Sequence, residues 1–372
     1  MTAPYDVAVV GGGLAGAASC ISARHHGLRV AWVAPEAAQT PLGDSLSESA
    51  NAIVRSLGVA HLLESAEHRP QNTLFSAWGS ARLGERHAIT SPFGAGYVLN
   101  RTVFQAAMRR SAETGTTVWN APCVACKPEN GGWNLTLASG GGVQASALVD
   151  ATGRAARLGR RFTTLHRLDR LVALATHVVP SSRLITPTPA TLIVADENGW
   201  WYAALIATGK ISLFYFSDPD LLPAQPARSP ATLQALVANT RSVARWLDEL
   251  DVRYTEPVRL ASAGTTWLEA AAGCEHGAYW LAVGDAAMAF DPLSSHGMTS
   301  ALWGGWHAGR LIRDALAGHT ESLAHYQRAL ERGRRQFLMD RTRIYGLEQR
   351  YPASRFWARR HARNGEIKQN AR

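Results

Sequence analysis

At 372 residues, with 46% hydrophobic and 18% charged residues, the chain is large enough for two or three folding units, and its composition excludes global disorder. No apolar run reaches the roughly 18 residues of a membrane-spanning helix. The net charge of +9 is concentrated at one end: residues 321–372 hold 13 Lys/Arg against 5 Asp/Glu, and only Lys127, Lys210 and Lys368 in the whole chain are lysines. An arginine-rich terminal segment fits a nucleic acid, an acidic protein partner or a solvated helix face. Met1 leads within a few residues into a strand, so no signal peptide is expected and the cytoplasm is the default location.

The first strand is Asp6–Val10. Gly11, Gly13 and Gly16 follow with GxGxxG spacing, Leu14 and Ala15 open a helix to His26, and Arg29–Val33 is the next strand. In such a unit the first glycine permits the turn, the second lets a pyrophosphate approach the backbone, and the third lets helix and strand pack closely. The acidic residue that commonly ends the second strand is missing from Trp32-Val33-Ala34, and Glu36 is the nearest substitute. Gly43-Asp44-Ser45-Leu46-Ser47-Glu48 precedes a helix over Ala50–Leu57. Asp44 or Ser47 could cap that helix, or the loop could lie beside a cofactor ring. Thr73–Trp78 and Tyr97–Leu99 read as strands, and Asn100 as the cap of a helix over Arg101–Arg110. A cation in a first helical turn opposes the dipole, so Arg101 is expected to have an anionic neighbour.

Residues 117–149 read as a meander with turns at Glu129–Gly132 and Gly140–Gly142. Cys123 and Cys126 fall in one of its strands, on opposite faces by simple alternation. With no second pair they are expected to be structural thiols, and no metal site is expected. Ala147–Asp150 runs into Ala151-Thr-Gly153. Strands then fall at Leu171–Val179, Ala190–Ala195, Trp200–Ala207 and Ile211–Phe216, two of them rich in aromatics. Helices over Ala231–Asn239 and Ser242–Leu250 lead to a strand over Arg253–Leu260. Tyr279–Met298 reads as a buried strand ending in Gly284-Asp285, a loop through Pro292, and a helix opening near Gly297. A carboxylate at a strand end facing helix amides suits a polar organic cofactor. A helical tail runs from Ser322 to Gly346 and beyond, and Phe356-Trp357 suggest that its last segment also docks.

Gly11-x-Gly-x-x-Gly16, Asp150-Ala-Thr-Gly153 and Gly284-Asp285 with Pro292 stand in order, with Arg101 between the first two. This series resembles the FAD-dependent flavoprotein monooxygenases of the p-hydroxybenzoate hydroxylase type. The resemblance implies an α/β (α+β) chain with a discontinuous Rossmann-like FAD-binding domain (1–70, 96–165 and 255–320), an inserted mixed β-sheet substrate domain (71–95 and 166–254) and an Arg-rich helical C-terminal region (321–372). It implies FAD contacts from Gly11, Gly13, Leu14, Ala15, Gly16, Glu36, Ser45, Arg101, Asp150, Gly153, Gly284, Asp285, Pro292, Ser295, Gly297 and Met298, with reduction by NAD(P)H or another reductant and O2 as cosubstrate.

Within that group, Asp291-Pro-Leu-Ser-Ser-His-Gly297 and Gly43-Asp44-Ser45 look most like the flavin-dependent tryptophan halogenases and their relatives. Halogenases relay hypohalous acid through a lysine downstream of the second motif, whereas residues 1–126 here contain none. Their Trp-x-Trp-x-Ile-Pro signature is reduced to Gly199-Trp-Trp-Tyr-Ala-Ala204. The chain is more similar to relatives that oxygenate a tryptophan side chain of another polypeptide during tryptophylquinone biogenesis, as for quinohemoprotein amine dehydrogenase. Asn72–Ser80, with Ser76-Ala-Trp-Gly79, shares in that likeness. The expected partner is then an acidic protein or peptide, with a small aromatic molecule as the alternative, and neither nucleic acid nor membrane. Expected proton-handling residues are His296, Asp44 and Glu48; expected pocket residues are Trp78, Trp200, Trp201, Tyr202 and Tyr215. A halogenase-like or isoprenoid-reductase-like flavoenzyme and a flavin-containing chaperone for an acidic protein are the competing readings.

Overall fold

The structure, a computed structural model, describes residues 5–36, 42–87, 95–181, 190–223 and 229–370. Residues 88–94, 182–189 and 224–228 of the expected substrate domain lie outside these. Tyr5–Val10 pairs in parallel with Val30–Val33 on one side and Gly142–Asp150 on the other. Thr117–Trp119 and Ala278–Ala282 extend the parallel sheet outward at either end. Parallel strands buried on both faces need continuous apolar sequence, and Val7–Val9 and Val30–Val33 are at most 3% exposed. Helices α1 (Leu14–His25), α2 (Ala50–Ser56) and α3 (Arg101–Glu113) follow in the first part of the chain. Asn100 caps α3 as expected, its side chain accepting from the Val103 amide. Helix α2 takes Ser49 at its N-cap position without a side-chain hydrogen bond, so neither Asp44 nor Ser47 caps it.

The second sheet runs Val252–Arg253, Val172–Pro180, Ile211–Ser217, Gly199–Leu205, Ala190–Asp196, Thr73–Ala77, Gly84–His87, with Arg259–Ser262 also paired to Val172–Pro180. The single strand expected over Arg253–Leu260 is thus two, and Pro257, which has no N–H for a ladder, falls between them. Helices α4 (Pro230–Asn239) and α5 (Arg241–Asp248) cover one face, burying Trp201 and Tyr215 with Leu233, Val237, Val243 and Leu247. Trp200, Phe214 and Phe216 occupy the opposite face.

A β-bulge corrects the expectation for the two cysteines. Leu135 pairs with Cys126 and Leu137 with Cys123, because the register shifts between Thr136 and Leu137. Both thiols therefore share a face, and Val124 is left 59% exposed. Burial, with Cys126 nearby, pushes the Cys123 thiol up to about 11.

Helix α6 (Gly297–Leu316) packs on α1, and α7 (Glu321–Leu347) and α8 (Arg355–Asn370) form the tail. Phe356 and Trp357 are fully buried against Tyr345 and the Trp200 face of the second sheet, so the last segment docks as expected. Several tail arginines are held by the chain's own carboxylates. Arg360 Nη2 lies 2.9 Å from Asp218, Arg359 reaches both Asp218 and Asp220, and Arg355 reaches Asp220. Arg359 holds the Asp220 carboxyl down at about 2. Burial pushes Asp218 up, but Arg360 and Arg359 outweigh it and leave the group below its ordinary value. Both carboxyls have folded values below the unfolded 3.8. Their contribution is therefore complete above that value and is lost as pH falls toward about 2. Amide exchange in residues 355–362 should rise across that window ahead of the parallel sheet; simultaneous loss of both would show that these pairs do not govern the tail.

Candidate cofactor and substrate site

A cavity of about 340 Å³ lies where the first turn of α1, the Gly43–Ser45 loop, Arg101, the Asp285–Met298 segment and the aromatic face of the second sheet converge. At its glycine-turn end, an added Cβ on Gly11 would stand 2.1 Å from the Ala151 carbonyl oxygen, and one on Gly16 1.9 Å from that of Gly11. These two glycines permit backbone packing. Gly13, by contrast, has open space where its side chain would be and lines the cavity with Leu14 and Ala15. Helix α1 begins there with no acidic residue in its first turn and no side-chain cap, leaving a positive helix end turned toward the cavity.

The far end repeats this arrangement. Asp285 ends the Ala278–Ala282 strand region and faces the cavity. One carboxylate oxygen is 3.4 Å from Arg154 Nε, and the other, Oδ1, is buried without a partner. Ser295 takes a left-handed backbone (φ 53°), turning the chain into α6, whose N-terminus also lacks a side-chain cap. Pro292, Ser295, Gly297 and Met298 all line the cavity. Arg101 Nη1 donates to the Gly43 carbonyl, while its Nε is buried and unpartnered. Burial lowers Arg101 to about 10, against the pull of Asp44 and Asp285, which are the anionic neighbours its position called for.

Asp44 is 4% exposed and has one carboxylate oxygen without a partner. Burial pushes its carboxyl up, opposed by Ser212, His177, Arg101 and Arg259. Tyr202 stands beside it; burial and the Asp44 charge push the phenol up, and its hydroxyl also lacks a hydrogen bond.

A groove of about 710 Å³ adjoins the cavity and shares Ser45, Tyr202, Asp291 and Ser295 with it. Glu48 and His296 lie here, separate from Asp44. His296 is reachable by solvent, yet partial burial by the groove walls lowers its imidazole despite Asp340 and Glu48. The three proton-handling candidates thus divide between two adjoining chambers.

Several of the expected contact residues do not line the cavity. Asp150 is spent on its own loop: its carboxylate accepts from the Thr152 amide and hydroxyl and from the Leu158 and Gly159 amides. Glu36 is exposed and outside the cavity wall, and the end of the second strand is met instead by Arg109, which donates to the Ala34 carbonyl. Gly284 (φ 57°) packs against Ala15 and Ala301 rather than lining the cavity. Strand alternation takes Trp201 and Tyr215 to the α4–α5 side, where Trp201 donates to Thr240 Oγ1 and Tyr215 to Asp196. Trp78 lies behind Trp200, donating to the Ile344 carbonyl of α7. Of the five aromatics, Trp200 and Tyr202 reach the cavity, joined by Phe214 and Phe216. Cross-strand pairing of Trp200 with Phe216 and of Tyr202 with Phe214 puts the two phenylalanines on that face.

Sequence reasoning also missed a brace. Asp291, 1% exposed, accepts from Leu293 N through one oxygen and from Arg341 Nε and the Tyr345 hydroxyl through the other. Arg341 also holds Asp169 at 2.8 Å, and Tyr345 accepts from Trp200 Nε1. Helix α7 therefore links the loop wall of the cavity to its aromatic wall.

Uncapped helix ends at both extremities, an unpartnered Asp285 oxygen, open space at Gly13 and an apolar aromatic wall fit FAD: pyrophosphate, ribityl hydroxyls and ring each meet suitable groups. The comparisons agree. Residues 6–72 match the family described as FAD binding domain, and the chain as a whole has a mixed α/β fold with a Rossmann-like first unit. LodB of Marinomonas mediterranea, whose name places it among FAD-dependent oxidoreductases, is 26% identical over 387 residues, spanning 96% of this chain and 97% of LodB. Among solved structures, the myxobacterial chondrochloren halogenase CndH superposes with a TM-score of 0.84 at 20% identity, over 99% of this chain and 89% of its own. QhpG, a peptidyl tryptophan dihydroxylase essential for tryptophylquinone cofactor biogenesis, superposes at 0.74 with 24% identity, over 96% and 79%. Among the described residues no helix is long and apolar enough to cross a membrane.

Proposed function

We propose that the protein is a flavin-dependent monooxygenase that hydroxylates an indole ring, that of a tryptophan side chain within a polypeptide, in tryptophylquinone cofactor biogenesis. The observation that carries this reading is the cavity–groove pair without lysine: among the described residues neither wall contains one, and Lys127 and Lys210 lie away from both. The halogenase resemblance requires a lysine to relay the halogenating species, so a fold shared with CndH does not bring its reaction here. The likeness to QhpG supports hydroxylation, and the likeness to LodB supports an FAD-dependent oxidoreductase.

Bound FAD, reduced by NAD(P)H or another donor, would supply oxygen activation from O2. The chain's own residues do the rest. The α1 and α6 N-termini hold negative charge, Asp285 accepts from hydroxyls, and Trp200, Phe214 and Phe216 keep water from the reacting ring. Asp44, a buried carboxyl on the cavity wall, is placed to take the ring proton after oxygen has been added, with His296 and Glu48 exchanging protons on the groove side.

The test is to supply FAD, reductant and O2 with a tryptophan-containing polypeptide or free tryptophan, and to follow added oxygen by mass spectrometry. Oxygen gained by the polypeptide supports the reading; gain by free tryptophan alone, or chloride or bromide incorporation when halide is present, overturns it. Asp44→Asn should lower turnover about 100-fold or more while retaining FAD, and turnover within twofold of the parent would remove Asp44 from the chemistry.

A further inference from the structure

The tail's arginines fall into two sets. Arg341 and Arg360 are buried on Asp169, Asp291 and Asp218, and Arg355 and Arg359 are paired nearer the surface with Asp220 and Asp218. Arg328, Arg332, Arg335 and Arg343 are exposed on α7, and among the described residues the first three have no ion-pair or hydrogen-bond partner. With Met339 and Leu347 they follow one another at intervals of three or four residues, which aligns them along one side of the helix. Met339 is 49% and Leu347 57% exposed, both unusual for large apolar side chains. The stripe turns into the site: Arg343 lines the groove, with Phe337, Asp340 and Ile344 from the same helix.

We propose that this stripe, from Arg328 to Leu347, is the docking surface for an acidic segment of the polypeptide whose aromatic ring enters the groove. The inference rests on the polypeptide-substrate reading above. Three features select this occupant. Unpaired guanidiniums of one sign attract carboxylates, and guanidinium geometry favours paired hydrogen bonds to them. The interspersed Met339 and Leu347 give the apolar contact that separates a protein interface from a merely solvated face. Arg328 to Arg343 spans about 22 Å of helix, longer than a free aromatic substrate and suited to a chain. The other set is already paired with the chain's own carboxylates and has no part in this surface.

The test uses the full-length FAD-loaded protein and two fluorescein-labelled peptides, each with one tryptophan, one flanked by glutamates and the other by glutamines. At low salt the glutamate peptide should bind about tenfold or more tightly than the glutamine peptide, and the difference should shrink as salt is raised. In Arg328→Glu/Arg332→Glu/Arg335→Glu the preference should disappear with FAD content unchanged; Arg332→Gln/Arg335→Gln should show an intermediate loss. Equal binding of both peptides to the parent, or a preference that survives the triple substitution, overturns the docking surface. Incubation with reductant and O2 separates the two ideas: if either peptide gains oxygen the substrate reading stands without the stripe, and if only free tryptophan does, that reading fails even where the glutamate preference is present.

Discussion

Arg341→Met is expected to cost about 3–5 kcal/mol of stability and to strip FAD from the purified protein. Arg341 is 4% exposed and bridges two carboxylates, Asp169 and Asp291, at 2.8 and 3.1 Å. Methionine matches its stem but leaves both acids in a poorly hydrated site without their cation. Asp291 also opens the Pro292–Ser294 turn, so its release frees the loop that brings Ser295, Gly297 and Met298 to the cavity. Tyr345→Phe is the gentler version. It removes one hydroxyl, which donates to Asp291 and accepts from Trp200, at a cost of about 1–3 kcal/mol. Thermal unfolding with and without added FAD reads both variants. Parental melting and parental FAD content in Arg341→Met would mean that α7 has no hold on the cofactor loop.

The second large effect separates two glycines three residues apart. Gly16→Ala places a methyl 1.9 Å from the Gly11 carbonyl oxygen, where only backbone could move, and should prevent α1 from seating on the sheet. Gly13→Ala meets no atom within 4 Å and has φ −83°, which alanine adopts freely. It should fold with the parent's circular dichroism yet bind FAD at least about tenfold more weakly, a loss of roughly 1.4 kcal/mol, because the methyl stands where a pyrophosphate must approach. Unchanged FAD affinity in Gly13→Ala would place the phosphates elsewhere. Poor folding of both variants would show that Gly13, too, serves packing.

The features legible in the sequence were those whose cause is local. Strand, glycine turn and helix follow one another without interruption from Tyr5 to His25, and the Asn100 cap needs only its own next turn. The Arg101 prediction succeeded because a charge at the wrong end of a helix is a local conflict with a nonlocal remedy, here Asp44 and Asp285. Failures came where a side chain's direction depends on distant pairing. Trp201 and Tyr215 belong to the correct strands but point away from the cavity. The cysteine pair was misread because one shift against Thr136–Leu137 reverses the alternation. Asp150 sits in a glycine-containing motif of the right kind, yet four donors of its own loop consume it. The Asp291–Arg341–Tyr345 brace leaves no sequence pattern at all, since its partners are 50 and 54 positions apart.

The brace has a consequence for the order in which the protein can become competent. The glycine turn, Asp285 and the start of α6 all precede α7 in the chain, so a growing polypeptide holds every direct wall of the FAD cavity before Arg341 has been made. What it lacks at that stage is the side chain that fixes Asp291, and the tyrosine that ties the same loop to Trp200 follows four residues later. We therefore expect tight flavin capture to come late in biosynthesis, when α7 closes over finished walls rather than when the Rossmann-like unit first folds. A chain stopped between Leu316 and Arg341 would be a nearly complete receptacle that fills poorly.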